Sequence, residues 1–322
     1  MLIYNAAAGQ RELGAIVKEV AGNLRGRGWD IDLRLTTERS HATLLAREAV
    51  ELGLDAVVVA GGDGTINETI NGLAHSGVAL GVLPTGTANV WAQEIGLPIP
   101  NLFNGDAAPL LACANLLADG EIRTLDLGQV GERFFMLYGS VGFDAHVVGQ
   151  IEAQKDLKSH LGGMAYYLAG AAAAWQFSGT RTWLTIDGKH IQRSIWAVMA
   201  ANTQLYGGVM RIAANALADD GLLDIVVVEG YGPVATLRHY ASFILRGIWA
   251  DPQVEVFRGR EVQIRTRRAM PVQVDGDVAG TTPITIRVVP GALKVIVPRG
   301  IAHHIFADNS PMSRSIPSGT SA

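Results

Sequence analysis

The sequence predicts an α/β domain with a doubly wound parallel sheet, followed by a domain built as an antiparallel β-sandwich. Through residues 1–124, apolar stretches with strand spacing alternate with stretches of helical spacing, which is typical of a parallel sheet covered by helices. Residues 125–300 instead contain many short strand-like stretches separated by Gly, Asp and Pro. A chain of 322 residues is long enough for two such domains. Ser, Pro, Gly and Asn dominate residues 308–322, which predicts a disordered tail.

In the first domain, predicted strands and helices follow each other in turn. Strands are predicted at residues 2–4, 31–35, 56–60 and 78–83. Apolar residues recur at helical spacing between them, and a further helix is predicted near 109–118. Ligands of doubly wound sheets bind at the carboxyl ends of the strands. Residues that directly follow a strand are therefore the candidates for a functional site.

The second domain is predicted to be mainly strands, with two helices. The helices are expected over residues 144–176 and 233–249. The strands are expected at residues 133–138, 182–186, 195–200, 222–228, 262–265, 272–274, 284–288 and 293–297.

Three glycines follow the third predicted strand within four positions, at Gly61, Gly62 and Gly64. The helix that carries Ile66 and Ile70 begins directly after them. Glycine lets the backbone approach a ligand closely, and the amides of a helix N-terminus attract anions. The stretch therefore predicts a phosphate-binding loop. It is neither a Walker loop, since no Gly-Lys-Ser/Thr follows, nor a G-x-G-x-x-G dinucleotide motif; an ordinary tight strand-to-helix connection is the alternative.

Three more polar loops follow predicted strands of the same domain. Asn5 to Gly9 follows the first strand, residues 36–42 follow the second, and Pro84 to Asn89 follows the fourth. Each alone could be an ordinary turn or helix cap. Because the carboxyl ends of parallel strands share one edge of the sheet, we expect these loops to lie near the glycine loop.

Composition excludes several function classes. Charged residues make up 17% of the chain and its net charge is −4, which disfavours nucleic acid as a partner. One cysteine, Cys113, excludes an internal disulfide. The histidines lack metal-ligand spacing, and no G-x-S-x-G motif of a serine hydrolase is present. Neither a signal peptide nor a transmembrane helix is predicted.

Four motifs together resemble a known enzyme family. They are Gly61 to Glu68, Leu83 to Asn89, Asp219 to Asp224 and Val274 to Asp277. The sequence is similar to the bacterial lipid kinases of the diacylglycerol kinase catalytic family from Met1 to about residue 297. Sphingosine kinases share the pattern, and NAD kinases and phosphofructokinases share the Gly-Gly-Asp-Gly element more distantly.

The resemblance implies ATP-dependent transfer of the γ-phosphoryl group to a lipid hydroxyl, in a cleft between a nucleotide-binding α/β domain and a β-sandwich. One departure lies in the first loop, where Asn-Ala-Ala-Ala-Gly replaces the family's Asn-Pro-x-Ser-Gly and lacks its hydroxyl. The nucleotide-binding residues it implies are Asn5, Gly9, Thr36, Gly61, Gly62, Asp63, Gly64, Thr65, Asn67, Glu68, Gly86, Thr87 and Asn89.

The resemblance also places the catalytic base and the metal ligands. The family's Asp-Gly-Glu puts its proton acceptor where this chain has Asp277, a side chain one methylene shorter; Asp275 is the second candidate, and an Asp-Gly hairpin turn with no catalytic role is the alternative. Asp63, beside the phosphate loop, is a candidate for Mg²⁺, with helix capping as the alternative. A structural divalent ion is implied at Asp220 and the backbone carbonyls of Leu217 and Leu222, where a plain turn is equally compatible.

A lipid substrate implies contact with a membrane surface. Lys155 and Lys158 precede the aromatic and apolar stretch of residues 161–177, which suits an interfacial contact, although a helix packed on the sandwich would look the same. We therefore expect a cytoplasmic enzyme with peripheral membrane association, and the sequence leaves a homodimer open. Two other hypotheses are an NAD-kinase-like or other small-molecule kinase, and a nucleotide-binding protein whose catalysis has lapsed.

Overall fold

The computed structural model of the chain describes residues 1–5, 11–99, 107–153, 177–208, 210–245, 253–300 and 304–307. They divide into two compact units. The first comprises Met1–Asp126, Ala218–Asp220 and the described residues from Pro290 onward, and the second comprises Leu127–Leu217 and Gly221–Val289. The predicted tail, residues 308–322, lies outside the described residues.

The first unit contains the predicted alternation of strands and helices. Its strands are β1 (Leu2–Asn5), β2 (Leu33–Thr36), β3 (Ala56–Gly61) and β4 (Ala79–Pro84). Its helices are α1 (Arg11–Gly26), α2 (His41–Glu51), α3 (Asp63–Leu73), α4 (Val90–Glu94) and α5 (Ala108–Ala118).

The remaining elements are mostly strands. They are β5 (Glu121–Val130), β6 (Arg133–Phe135), β7 (Tyr138–Gly142), α6 (Phe143–Ala153), β8 (Thr180–Ile186), β9 (Lys189–Ala201), β10 (Leu205–Tyr206), β11 (Met210–Arg211), β12 (Leu223–Glu229), α7 (Gly232–Leu245), β13 (Val254–Gly259), β14 (Glu261–Thr266), β15 (Pro271–Val274), β16 (Asp277–Thr281) and β17 (Ile284–Val297).

A parallel sheet organises the first unit. β1 pairs with both β2 and β3, β3 pairs with β4, and Lys294 and Val295 of β17 extend the sheet beyond β4. The strand order β2-β1-β3-β4 reverses direction at β1, and right-handed crossovers then place α1 on the face opposite α2 and α3. The carboxyl ends of β1 and β3 meet at this reversal, where doubly wound sheets bind their ligands.

The second unit is an antiparallel β-sandwich built around β9. This strand pairs with β7, β8 and β12, while β14 joins β8, and β15 joins β7 and β16. Its core is continuous and apolar, with Phe135, Val198 and Val226 all fully buried. The fold class predicted from the sequence, a parallel α/β domain and an antiparallel β-sandwich, is confirmed.

Several element boundaries differ from the prediction. The strand predicted at 133–138 is interrupted at Met136 and Leu137, because their backbone N–H groups donate to a carboxylate from a distant hairpin rather than to a strand. The two strands predicted at 284–288 and 293–297 form one strand, β17, which continues through Gly291. Gly291 has φ +62° and donates its N–H to Asp126, so the backbone finds a partner where a turn was expected.

The domain assignment also differs, in residues 218–220 and 290–300. These segments belong to the first unit, although the sequence prediction included them in the second domain. Local sequence does not show that the end of β17 returns to pair with β4.

Among the residues that the structure describes, no helix combines the length and the apolar character needed to cross a bilayer. Lys155, Lys158 and most of the predicted interfacial stretch 161–177 lie outside the described residues.

Candidate functional site

The glycine loop connects β3 to α3 without an intervening turn. Gly61 ends the buried strand, and Gly62 is the N-cap of α3 with extended backbone angles. The Ile66 N–H donates to the Gly62 carbonyl at 3.1 Å, so Ile66 closes the first helical turn. The amides of residues 63–65 precede that bond and lie at the positive end of the helix dipole. This arrangement suits an anion, as the sequence predicted.

A second glycine loop packs directly on the first. A Cβ added to Gly86 would lie 2.4 Å from the Gly62 Cα, so the two backbones are in contact. Asn89 holds the second loop, because its Oδ1 accepts the Gly86 N–H at 2.8 Å and its Nδ2 donates to the Gly86 carbonyl at 2.7 Å. Asn89 is buried and has φ +49°. The structure thus gives Asn89 a role in shaping the loop, whereas Thr87 is exposed on the loop.

Asp63 links the two glycine loops through its carboxylate. Its Oδ1 accepts the Val90 N–H at 2.8 Å and thereby caps α4. Burial raises the pKa of the Asp63 carboxyl, and the hydrogen bonds from the Val90 and Asn89 amides oppose that rise. One oxygen of the candidate metal ligand is therefore already used to join the loops.

Glu68 also has a structural role. Its carboxylate accepts the backbone N–H groups of Ser40 at 2.8 Å and Ala42 at 3.4 Å, so it caps the N-terminus of α2. The Glu68 carbonyl accepts the Thr43 hydroxyl proton at 2.8 Å. Asn67 is 3% exposed within α3. Glu68 therefore stabilises the scaffold of the loop, and Asn67 is buried beside it.

The remaining predicted residues of the first unit collect at one edge of the sheet. Asn5 ends β1, and its Nδ2 donates to Thr65 Oγ1 at 3.4 Å. Thr36 ends β2 and donates its hydroxyl to the Tyr4 carbonyl at 3.4 Å. Gly9 lies outside the described residues. The carboxyl ends of β1, β2 and β3 thus converge as the fold class predicts.

In the second unit, Asp275 and Gly276 form the two-residue turn between β15 and β16. Val274 pairs with Asp277, and both central residues have positive φ, +46° and +85°, as a type I′ hairpin requires. The Asp-Gly hairpin considered as the alternative is therefore present. It places Asp275 within a rigid turn and Asp277 at the start of the strand that follows it.

Asp275 anchors the chain between β6 and β7. Its carboxylate accepts the backbone N–H groups of Met136 at 2.8 Å, Leu137 at 3.0 Å and Tyr138 at 2.9 Å. A carboxylate whose lone pairs serve three amides has little capacity left to accept a substrate proton. Its geometry supports a structural role, which leaves Asp277 as the better candidate base.

Asp277 faces a cation that the sequence analysis missed. Its Oδ2 accepts a hydrogen bond from Arg133 Nη2 at 2.6 Å, and the two side chains are 26% and 32% exposed. A carboxylate that is oriented by a hydrogen bond and still reached by solvent can accept a proton. The two residues are 144 positions apart, so no local pattern predicts the pair.

Four further polar residues, also missed, form a hydrogen-bonded network that reaches this hairpin through Gln273: Ser140, Asp144 and Gln273, which are buried, and Tyr206, which is partly buried. Burial raises the pKa of the Asp144 carboxyl, which its hydrogen bonds to Ser140, Tyr206 and Gln273 partly offset. A signal existed in the sequence, since Asp144 is a lone charge in the apolar stretch from Phe134 to Val148.

The proposed structural metal site lies in the turn before β12, which contains Asp220 between Leu217 and Leu222. Asp219 is the better-defined carboxylate there: its Oδ1 accepts the Ala307 N–H at 2.7 Å, and its Oδ2 is buried without a hydrogen-bond partner among the described residues. Burial, and then the charges of Asp126 and Asp220, raise the pKa of Asp219. Within the described ranges, no three His, Cys, Asp or Glu side chains surround one metal position. An ion there would need backbone carbonyls and water as further ligands.

Comparison with known proteins covers both halves of the chain. Residues 1–130 match the model of the diacylglycerol kinase catalytic domain, and residues 139–297 match that of the YegS C-terminal NAD kinase β-sandwich-like domain. A "probable lipid kinase YegS-like" of Pseudomonas savastanoi pv. phaseolicola is 30% identical over 95% of this chain and 94% of its own. A diacylglycerol kinase of Mycobacterium tuberculosis is 33% identical over 89% of this chain and 92% of its own.

A solved structure shares the fold. The crystal structure of a diacylglycerol kinase from Bacillus anthracis superposes with a TM-score of 0.71 at 22% identity, covering 93% of this chain and 97% of its own.

Proposed function

Since the chain belongs to the family of YegS-like lipid kinases and diacylglycerol kinases, we propose that it transfers the γ-phosphoryl group of ATP to a hydroxyl of diacylglycerol or a related lipid. The observation that carries the proposal is the pair of glycine loops in the first unit, whose backbones touch at Gly62 and Gly86 beside the N-terminus of α3. Such a surface presents amides and no side chain to a polyphosphate.

In the first unit, the nucleotide phosphates lie against the amides of residues 62–65. Thr87, exposed on the second loop, and the polar groups of Asn5 and Thr36 are placed to contact the rest of the nucleotide. Asp63, Glu68 and Asn89 act indirectly, since their side chains hold the loops in place. Phosphoryl transfer depends mainly on such positioning and on charge stabilisation.

In the second unit, Asp277 accepts the proton of the lipid hydroxyl. The hydroxyl oxygen forms a bond to the γ-phosphorus, the bond to the bridging oxygen of ADP breaks, and the products are a phosphorylated lipid and ADP. Arg133 orients Asp277 before the lipid binds. The shorter side chain of Asp277, relative to the family's Glu, places the acceptor oxygen closer to the hairpin.

Magnesium, when bound, neutralises part of the phosphate charge. Mg²⁺ in kinases is held by substrate phosphates, water and one or two carboxylates, and the donor set fits this pattern, since Asp63 can offer its second oxygen to the ion or to a water on it. The turn at Asp220, with the carbonyls of Leu217 and Leu222, is proposed as a separate structural ion site, for which the buried unpartnered Oδ2 of Asp219 is the supporting observation.

The test is phosphoryl transfer from γ-labelled ATP with Mg²⁺ to a panel of mixed micelles. The panel contains diacylglycerol, phosphatidylglycerol and a sphingoid base, with NAD as a separate soluble acceptor. We expect label in the lipid extract. Label in NAD alone would reject the lipid assignment, and ATP binding without transfer to any acceptor would reject catalysis.

The lipid acceptor resides in a bilayer, so we also propose a cytoplasmic enzyme that binds membranes reversibly. Co-sedimentation with vesicles containing anionic lipid should retain the protein at low salt and release it at high salt.

A further inference from the structure

The polar network of Ser140, Asp144, Tyr206 and Gln273 in the second unit has no role in the reaction proposed above. Gln273 and Ser140 are fully buried, and Asp144 is 6% exposed. Ser140 and Tyr206 each donate a hydroxyl proton to the Asp144 carboxylate. A carboxyl group at such a depth costs free energy relative to an apolar side chain, even when it is hydrogen-bonded. Its presence calls for a role beyond packing.

Gln273 connects this network to the hairpin. Its Nε2 donates to Asp144 Oδ2 at 2.7 Å and to Ser140 Oγ at 2.9 Å. Its Oε1 therefore points the opposite way, and it accepts the Gly276 N–H at 2.8 Å. The Gly276 N–H can only donate, so the oxygen end of the Gln273 amide faces the turn and its NH₂ end faces Asp144 and Ser140. Asp144 and Ser140 thus hold the NH₂ end of Gln273 away from the turn.

The contact with Gly276 lies one residue before Asp277. Gly276 has φ +85° and is a central residue of the turn. It therefore takes no part in the strand pairing between β15 and β16. The other central residue of the turn, Asp275, is held through its side chain by the loop between β6 and β7. With the Asp275 side chain anchored to the loop between β6 and β7 and the Gly276 N–H anchored to Gln273 of β15, the direction in which Asp277 leaves the turn is fixed by contacts beyond the turn itself.

We propose that Gln273 is a positioning residue for phosphoryl transfer, which holds Asp277 in its reactive orientation through the Gly276 amide and is itself oriented by Asp144. The inference rests on the proposed role of Asp277 as proton acceptor. Gln273 touches neither substrate nor phosphate. Its effect is expected on the chemical step, while the affinity for ATP is unchanged.

The charge pattern of the network permits a swap experiment. Gln273→Glu replaces the NH₂ donor that Asp144 and Ser140 share with a second carboxyl group facing Asp144, whereas Gln273→Met removes all three hydrogen bonds of the side chain without adding a titratable group. The double variant combines Asp144→Asn with Gln273→Glu. In this variant the amide at position 144 donates to the carboxylate at position 273, which reverses the wild-type hydrogen bond between the two positions. The second oxygen at position 273 again accepts the Gly276 N–H.

We expect kcat for lipid phosphorylation to fall about 100-fold in Gln273→Glu and Gln273→Met, since a misplaced catalytic group costs about that much. KM for ATP should stay within about twofold of the wild-type value, and the double variant should recover at least about tenfold of the lost kcat relative to Gln273→Glu. Amide hydrogen exchange at Gly276 should accelerate in both single variants and slow again in the double variant.

The proposal is overturned if both single variants retain kcat within about threefold, or if the double variant recovers neither kcat nor the protection of Gly276. Thermal unfolding of each variant separates lost orientation from lost folding, and Gln273→Met carries the test if Gln273→Glu fails to fold. Asp277→Asn is assayed in parallel. If that variant is inactive while the Gln273 variants turn over normally, the inference fails and the proposed function stands; if Asp277→Asn remains active, the proposed role of Asp277 fails first.

Discussion

The glycine loops of the first unit and the hairpin of the second are held in place by different kinds of contact. At the loops, two backbones touch directly, and the space between Gly62 and Gly86 excludes even a Cβ. At the hairpin, side-chain hydrogen bonds fix the turn: Asp275 accepts backbone N–H groups between β6 and β7, Gln273 accepts the Gly276 N–H, and Arg133 pairs with Asp277. The contact between the loops therefore requires that Gly62 and Gly86 carry no side chain, whereas the hairpin depends on the hydrogen bonds of side chains.

This difference separates binding from chemistry. A backbone surface can hold phosphates of any nucleotide state without itself reacting, whereas an oriented carboxylate contributes to catalysis only through its position and charge. Substitutions in the loops should therefore weaken nucleotide binding, and substitutions around the hairpin should slow the reaction with ATP affinity intact.

The largest effect is expected for Asp277→Asn. An amide cannot accept the hydroxyl proton, so kcat for lipid phosphorylation should fall about 1000-fold. Activity is measured as transfer of γ-labelled phosphate to diacylglycerol micelles, with Asp275→Asn as the comparison. The second variant should lose folding stability, because its amide cannot accept all three backbone N–H groups. Turnover retained in Asp277→Asn would place the base elsewhere.

A smaller but still large effect is expected for Gly86→Ala. The new Cβ would sit 2.4 Å from the Gly62 Cα, so the two loops must separate. The dissociation constant for ATP should rise by about 30-fold or more, roughly 2 kcal/mol. Gly77→Ala is the matched control, since a Cβ there meets no atom within 4 Å and it lies outside both loops. Unchanged ATP affinity in Gly86→Ala would mean that the contact between the loops does not shape the nucleotide site.

Arg133→Met should have an intermediate effect on the hairpin. The ion pair with Asp277 is partly exposed, so its loss should leave folding nearly unchanged. Asp277 would lose its orientation, and kcat should fall by roughly tenfold with KM for ATP constant. Arg133→Lys retains the charge and should recover part of the rate. A rise in KM for ATP with constant kcat would instead assign Arg133 to nucleotide binding.

Cys113 should not react with a thiol reagent in the folded protein, so treatment with the reagent should leave activity unchanged. Burial raises the pKa of the Cys113 thiol to about 12, and the side chain is fully buried in the first unit. The reactive thiolate is then scarce at about pH 8. Iodoacetamide should modify Cys113 only on unfolding, which makes this single cysteine a reporter of the stability of the first unit. Rapid labelling of the native protein at that pH would show that the thiol is accessible.

The same contrast explains what the sequence could predict. The glycine loop is local: Gly61 ends a strand, Gly62 caps a helix, and residues 56–73 contain the whole arrangement. The hairpin was also predictable, because Asp-Gly favours a type I′ turn. The long-range contacts that hold the hairpin in place were not predictable. Arg133 reaches it from β6, and Asp144 of α6 holds Gln273, and such long-range pairings leave no spacing to recognise.

The sequence motifs did not show that some of their polar residues have structural roles. Glu68 and Asn89 stand in the motif as polar residues next to glycines, which favours ligand contact. In the structure, Glu68 caps α2 and Asn89 holds Gly86, because buried loops must satisfy their own backbone groups before any ligand binds. A motif shows that residues belong to one site, and only coordinates show which of them face its ligand.

The most direct test is calorimetric titration of ATP into Gly64→Ala and Asp277→Asn under identical conditions. A Cβ on Gly64 meets no protein atom within 4 Å, so folding should be unaffected, and only a phosphate lying against this backbone would be displaced. We predict that Gly64→Ala weakens ATP binding by about tenfold, which is about 1.4 kcal/mol of binding free energy, at unchanged thermal stability. Asp277→Asn should bind ATP as the wild type does. Normal ATP affinity in Gly64→Ala, or lost affinity in Asp277→Asn, would contradict the division of binding and chemistry between the two regions.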